Sequence, residues 1–153
     1  MELTKAKKLA EELLEKHNPD YTLRFDNAKV RLGCCNVSKK YISLSRPFIL
    51  LNNEEAVKDT ILHEIAHSLT PQHKHNNIWR AKAIEIGCNG NRICNDENVI
   101  ILKGKYVYQC PKCKKKVFTH RKQRIEKSCG KCCKAYNNNK FSKDYVLELI
   151  EVQ

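Results

Sequence analysis

The stretch TILHEIAHSLTPQHKHNNIW, from Thr60 to Trp79, contains four of the six histidines of the chain, and a glutamate directly follows the first of them. His63 and His67 are four residues apart, so on a helix their imidazoles lie on one face and can share a metal ion. A catalytic zinc needs three protein ligands and an open position for water, whose proton a carboxylate such as Glu64 can take. HEIAH therefore offers two ligands and a base, and a third ligand must come from elsewhere.

The residues around HEIAH predict a buried helix that ends at Pro71. Its start lies near Asn52, which with Glu55 three residues later resembles a capping box. Apolar residues recur every four positions: Val57, Ile61, Ile65 and Leu69. The alternative is a partly exposed helix with ordinary histidines, but polar groups on so apolar a helix require a partner such as a metal. We therefore favour a zinc site.

The remaining elements of the first hundred residues predict an α+β fold with a small three-stranded sheet. A first helix is expected over residues 4–17, with one apolar stripe at helical spacing. The segments YTLRF, KVRLGCC and KYISLS have strand character, and RPF then breaks the pattern. A third helix runs from about Asn77 to Ile86 and is closed by Gly87.

Two later histidines compete for the third ligand position. His73 lies six residues after His67, which is the metzincin spacing, but Thr70 occupies the position where metzincins need glycine. Metzincins also need a downstream methionine turn, and the single methionine here is Met1, so the metzincin interpretation fails. His75 instead lies directly before the third helix.

The segments DTILHEIAHSL, KHNNIW and EIGC resemble the SprT/Spartan family of zinc metalloproteases, and RLGCC and YISLS resemble its strand pair. The resemblance covers residues 3–88 and then a cysteine module. In that family a third histidine follows the HExxH helix and an aromatic residue lies four positions further on, as His75 and Trp79 do. Asn76 stands where the family usually has glycine.

The resemblance implies a zincin-like helical metalloprotease core whose third histidine is unlike that of gluzincins or metzincins. It implies a catalytic zinc on three ligands with a glutamate as general base. These residues are His63, His67 and His75 as ligands and Glu64 as the base.

Two CxxC knuckles, Cys110 to Cys113 and Cys129 to Cys132, are separated by 15 residues, within the range of zinc ribbons. Four thiolates close a tetrahedral site without an open position, so this second zinc is expected to be structural. Cys133 could replace Cys132, although the CxxC spacing favours the latter. The segments between and before the knuckles can form β-hairpins. The cysteines without ligand spacing are read as thiols: Cys34, Cys35, Cys88 and Cys94.

Positive charge is concentrated at the end of the chain. Residues 1–102 have 15 basic and 13 acidic side chains, a net charge of +2, whereas residues 103–153 have 14 and 4, a net charge of +10. The predicted organisation is a SprT-like metalloprotease domain over 1–100, a basic zinc ribbon over 103–143 and a C-terminal segment over 144–153. The excess charge suggests a polyanion, although a solvated lysine-rich surface is the alternative.

Interleaved basic and aromatic residues favour single-stranded or distorted DNA as the partner of the ribbon. Most of the aromatic residues are interpreted as the small core of the ribbon itself. The candidate contacts are Lys114, Lys115, Lys116, Arg121, Lys122 and Arg124.

The sequence has no run of 18 apolar residues and no signal-peptide pattern, so we expect an intracellular protein, in the cytoplasm or in a eukaryotic nucleus, that avoids membranes. Animal Spartan proteins have long tails that bind ubiquitin and a clamp. No such tail is evident here, so those partners are not expected.

The leading hypothesis is a zinc-dependent endopeptidase of SprT/Spartan type with two zinc ions, and the resemblance implies DNA-bound or DNA-crosslinked proteins as substrates. One alternative is a non-enzymatic, transcription-related nucleic-acid-binding protein with a vestigial HExxH site. Intact Glu64 disfavours it, because a structural site needs no base. Another is a zinc hydrolase that acts on a different bond, since HExxH does not name its substrate.

Overall fold

The computed structural model describes residues 1–18, 20–92 and 99–152. The chain divides into two compact units, Met1–Leu102 and Lys103–Gln153. Among the described residues, no helix is both long and apolar enough to cross a membrane.

The first unit contains four helices and three strands in the described part of the chain. In chain order these are α1 Leu3–His17, β1 Thr22–Asp26, β2 Gly33–Asn36, β3 Tyr41–Ser45, α2 Arg46–Leu51, α3 Glu54–Leu69 and α4 Asn77–Glu85. The predicted α+β class is confirmed, and the three predicted strands and three predicted helices each have a counterpart. Helix α2 was not predicted: RPF does end β3, but Pro47 lies in the first turn of a helix that Ser45 caps through its hydroxyl.

The three strands form one sheet in the order β1-β3-β2. The pairing of β1 with β3 is parallel and that of β2 with β3 is antiparallel, with Gly33 opposite Leu44 and Cys35 opposite Ile42. The central strand β3 is almost wholly buried, whereas β2 lies at an edge of the sheet. Helix α3 packs against β2, and this places the HEIAH segment beside the edge strand.

Helix α3 begins one residue later than the predicted capping box allows. Asn53, rather than Asn52, is its N-cap, and the Asn53 side chain accepts a hydrogen bond from the Ala56 N–H at 3.0 Å. The Asn52 side chain instead donates to the carbonyls of Phe48 and Ile100, each at 2.8 Å, and accepts from the Ile100 N–H at 2.7 Å. The predicted burial of α3 is confirmed, because its apolar residues are almost fully enclosed: Val57, Ile61, Leu62, Ile65 and Ala66.

The second unit contains a three-stranded antiparallel sheet in the order β5-β4-β6. Its elements are β4 Tyr106–Gln109, β5 Lys116–Thr119, α5 Gly130–Tyr136, a 3-10 helix Lys143–Tyr145 and β6 Glu148–Val152. The hairpin pairs β4 with β5 across the first CxxC knuckle, rather than forming within the segment between the knuckles. The predicted C-terminal segment, residues 144–153, contains strand β6, which belongs to this same sheet.

Candidate active site and metal centres

Three histidines from two parts of the chain converge at one point. Helix α3 presents His63 and His67, and the loop before α4 presents His75, whose Nε2 atom lies 3.0 Å from the Nε2 atoms of both other histidines. One ligand atom from each residue lies within 4.8 Å of the others. His73 is not in this group: its Nδ1 atom lies 3.1 Å from Nδ2 of Asn76.

The donor set of this cluster fits a zinc ion. Nitrogen ligands at about 2.0–2.1 Å from a tetrahedral zinc lie about 3.3 Å apart, close to the separations seen here. Burial is the main cause that lowers the pKa of His63 and of His67 to about 4, and it also lowers the pKa of His75. The imidazoles are therefore neutral near pH 7, as metal ligands must be. The three-histidine group could hold zinc.

Glu64 lies beside the histidines and is 8% exposed. Burial raises its pKa to about 7, against the opposing effects of a hydrogen bond from the Cys35 backbone and the charge of Arg31. A carboxylate with this pKa can accept and return a proton near neutral pH. Strand β2 approaches the carboxylate closely because position 33 is a glycine, where a Cβ atom would lie 2.8 Å from Glu64 Cγ.

Two cavities meet at the site. One, of about 260 Å³, extends from His63 and Glu64 towards Val30, Leu32 and Ile101. The other, of about 340 Å³, extends from the same two residues along Cys34 and Val37 to the loop that contains His75. Gly33 of β2 lines both cavities, so the space runs along the edge strand and past the three histidines.

A SprT-like family model matches residues 4–98 of the chain, which includes all of these site residues.

The chain belongs to the SprT-like family.

This family assignment, together with the histidine cluster, places the SprT-like domain among zinc metalloproteases. Among solved structures, this chain is similar to the metallopeptidase zymogen abylysin of Pyrococcus abyssi, with 20% identity and a TM-score of 0.45 over 60% of this chain and 84% of that one. No curated protein matches the chain.

The asparagine that departs from the usual SprT glycine has a structural role. Asn76 is the N-cap of α4, and its side-chain oxygen accepts from the N–H groups of Ile78 and Trp79, each at 3.1 Å. Asparagine is at least as good an N-cap as glycine, so the substitution keeps the start of α4 directly after His75.

Four cysteines form a second cluster, in the second unit. The Sγ atoms of Cys110 and Cys132 are 3.8 Å apart, and those of Cys113 and Cys129 are 3.7 Å apart. Zn–S bonds of about 2.3 Å in a tetrahedron require sulfur atoms about 3.8 Å apart. This cluster could therefore also hold zinc. Cys133 is outside it, and its thiol donates to the Ser128 hydroxyl at 3.1 Å.

Two thiols of this cluster differ in pKa. A hydrogen bond from the Lys115 backbone is the main cause that lowers the pKa of Cys113 to about 7, whereas burial raises the pKa of Cys132 to about 12. Outside the cluster, three of the cysteines predicted to be thiols are free: Cys34, Cys35 and Cys88. Cys94 lies outside the described residues.

The six basic residues predicted to contact DNA are all exposed, and lie in or beside β5 and the segment that follows it. The aromatic residues divide differently from the prediction. The prediction concerned the four aromatic residues that interleave with the basic ones, Tyr106, Tyr108, Phe118 and Tyr136. Tyr108 is buried as expected, but Phe118 is 43% exposed and Tyr136 63%. The Lys112 ammonium lies 3.9 Å from the centroid of the Tyr136 ring. The aromatic core of the second unit is therefore smaller than predicted, because some of these rings lie at the surface.

Proposed function

We propose that this protein is a zinc-dependent endopeptidase of SprT/Spartan type. His63, His67 and His75 would hold the catalytic zinc, and Glu64 would be the general base. The observation that supports this most directly is the position of Glu64, which is buried next to a three-nitrogen cluster at the junction of two open cavities.

The chemistry follows from the placement of these side chains. The three histidines would hold a zinc ion, which would provide Lewis-acid chemistry: polarisation of a peptide carbonyl and increased acidity of a water molecule. Glu64 takes the proton from the attacking water and returns it to the leaving amine. Its carboxylate is buried and lies against Gly33 of β2, where a Cβ atom would be 2.9 Å from Oε1, so its orientation is restricted before a substrate arrives.

The edge strand gives a reason to favour a peptide substrate. In the described part of the chain β2 pairs with β3 alone, so one row of its backbone groups is not used by the sheet. An extended peptide can pair with such an edge by β-augmentation. A peptide bound along residues 33–36 would pass His63 and Glu64, which line the same cavity as Gly33, Cys34 and Cys35. An enzyme that hydrolyses a bond other than a peptide bond would not need an unpaired strand edge beside its active site.

The cysteine cluster would hold a second, structural zinc through Cys110, Cys113, Cys129 and Cys132. Among the described residues, the buried core around this cluster consists of three cysteines, with Tyr145 and Leu147 packed against it. So small an apolar core contributes little stability, and metal binding would supply much of the folding free energy of the second unit.

The second unit would bind DNA, with a preference for single-stranded or distorted regions. Its net charge of +10 favours contacts with phosphates, and its exposed aromatic rings offer faces on which unpaired bases can stack. The candidate phosphate contacts are Lys114, Lys115, Lys116, Arg121, Lys122 and Arg124. Substrates would then be DNA-bound or DNA-crosslinked proteins in the cytoplasm or nucleus, and an intracellular location is part of the proposal.

The proposal is tested with the full chain loaded with zinc, and with a Glu64→Gln variant that keeps the shape of the side chain but not the base. Cleavage of a DNA-binding protein is followed with single-stranded DNA, with duplex DNA and without DNA. We expect wild type to cleave faster with single-stranded DNA, and Glu64→Gln to be slower by about 10²- to 10⁴-fold.

Equal cleavage by both forms would contradict the protease assignment. If DNA does not change the rate of cleavage by wild type, the proposal that DNA directs the enzyme to its substrates would be contradicted, but the protease assignment would not. DNA binding without any cleavage, by wild type with both metal sites loaded, would instead favour a nucleic-acid-binding protein with a vestigial HExxH site.

A further inference from the structure

Trp79 is the single tryptophan of the chain and one of its largest fully buried side chains, at 1% exposure. It lies in the first turn of α4 and contacts the rings of all three histidines. The centroid of its ring is 4.7 Å from that of His63, 5.2 Å from that of His67 and 4.6 Å from that of His75. It stacks on His67 at 28° and meets the other two rings edge to face, at 61° and 75°.

The three histidines are not equally held by the backbone. All three side chains are half-buried, but His63 and His67 lie one turn apart on helix α3, whereas His75 lies on the loop between α3 and α4. A loop side chain of this kind can adopt several rotamers, and ordering it on metal binding has an entropic cost. The indole of Trp79 packs against the His75 ring and against both helical histidines, so it connects the loop ligand to α3.

The backbone of Trp79 is itself tied to the residue after His75. The Trp79 N–H donates to the side-chain oxygen of Asn76 at 3.1 Å, which fixes the first turn of α4 relative to the end of the loop. The indole is rigid and enclosed, and its Nε1 atom has no hydrogen-bond partner among the described residues. A buried N–H without a partner is unfavourable, so the burial of this ring is not explained by hydrogen bonding. The ring packs in the apolar cluster of Leu62, Ala66, Ala83 and Cys88 and also against the three histidines, so it connects the core of the first unit to the ligand rings.

We propose that Trp79 is a positioning residue that pre-orients the three imidazoles for metal binding and closes one side of the site. Because the indole covers that side, any ligand other than the three histidines would have to reach a bound metal from the cavities along β2. The role of Trp79 is exerted through the three histidine rings that it contacts. The inference rests on the proposed histidine metal site, but not on peptide hydrolysis.

The test measures Co²⁺ and Zn²⁺ binding to the full chain after metal removal, in wild type, Trp79→Phe and Trp79→Leu. Co²⁺ on the cysteine cluster gives thiolate-to-metal charge-transfer bands, which histidine ligands do not give, so the two sites are distinguished in one titration. Ile78→Ala is the matched control, because Ile78 is on the same helix turn and is 54% exposed. Thermal unfolding of each metal-free variant reports on stability separately.

We expect Trp79→Leu to lower the affinity of the histidine site by about 10- to 100-fold, the loss that removal of an outer-shell partner causes. Trp79→Phe, which keeps an aromatic face and the fold, should restore much of that affinity, and Ile78→Ala should leave it unchanged. The cysteine site should bind equally in all four proteins.

Unchanged histidine-site affinity in both Trp79 variants would overturn the inference. So would a loss of affinity in Trp79→Phe that equals the loss in Trp79→Leu, since a role in simple volume filling does not distinguish an aromatic ring from an aliphatic side chain. Wild type that binds metal at the histidines but cleaves no protein would contradict the proposed function and leave the role of Trp79 intact.

Discussion

Gly33 lies against Glu64: a Cβ atom at position 33 would be 2.8 Å from Glu64 Cγ and 2.9 Å from Glu64 Oε1. The glycine is not at a turn with positive φ; it lies in β2, opposite Leu44 of β3. Its small size allows the edge strand to approach the proposed base closely.

Gly33→Ala is therefore expected to displace the carboxylate and to lower the rate of peptide cleavage by about 100-fold, the effect of a misplacement of about 1 Å. Zinc binding by the three histidines should be little changed, because the clash is with Glu64. Cleavage rate and zinc content are measured on the same preparation.

Gly130→Ala is the matched control for this prediction. No atom lies within 4 Å of a Cβ at that position, so cleavage should stay at the wild-type rate. A Gly33→Ala enzyme with wild-type activity would show that β2 moves freely away from Glu64, and that the close approach is not needed for catalysis.

His75 and His73 are predicted to differ sharply in their effect on zinc. His75→Ala removes one of three convergent nitrogens. Loss of an outer-shell partner lowers metal affinity by about 10- to 100-fold, and loss of this ligand should lower the zinc affinity of the histidine site by more than that. His73→Ala removes a ring that pairs with the side chain of Asn76 and should leave affinity nearly unchanged. Competition against a chelator of known affinity measures both. Equal losses in the two variants would contradict the proposed ligand set.

Much of the site could be predicted from the sequence because its spacing reflects helix geometry. The separation of His63 and His67 by four residues places them on one face of the helix. The position of Glu64, the next residue on that helix, follows from the same geometry. The choice of His75 over His73 did not follow from spacing alone. It depends on how the loop folds back over α3, and it was predicted from the resemblance to a known family together with the failed metzincin pattern.

The parts that could not be predicted depend on contacts distant in sequence. Nothing in the pattern around Gly33 shows that a carboxylate 31 positions later will lie against it. The contact of Trp79 with all three ligand rings likewise requires the relative placement of α3 and α4. Strand β6 was missed because its partner β4 is about 40 residues away and every residue of β6 is exposed, so alternating burial does not mark it.

The second metal site is predicted to depend on Cys132 and not on Cys133. Cys132→Ser removes one of four sulfur atoms, so zinc per chain should fall from two to one and the second unit should lose protection against protease. Cys133→Ser removes only a contact with the Ser128 hydroxyl and should keep two zinc ions. Elemental analysis and limited proteolysis test this. One zinc in Cys133→Ser and two in Cys132→Ser would reverse the assignment.

Two adjacent asparagines before α3 are predicted to have unequal effects on stability. Asn53→Ala removes the N-cap and should lower the free energy of unfolding of the first unit by about 1 kcal/mol. Asn52 is buried and makes three hydrogen bonds with the backbones of Phe48 and Ile100. Its replacement by alanine leaves those groups without partners, at about 1–3 kcal/mol for each buried group that stays unpaired. Asn52→Ala should therefore be the more destabilising variant.

Urea unfolding followed by tryptophan fluorescence measures this difference for the first unit alone, because Trp79 is the single tryptophan and lies in that unit. Zinc is held at one fixed free concentration, since metal binding to the folded state adds to its stability. The slope of the transition should be the same in both variants if only the folded state is affected. A larger loss in Asn53→Ala than in Asn52→Ala would mean that capping of α3, and not the hydrogen bonds from Asn52 to Phe48 and Ile100, holds the start of the site helix in place.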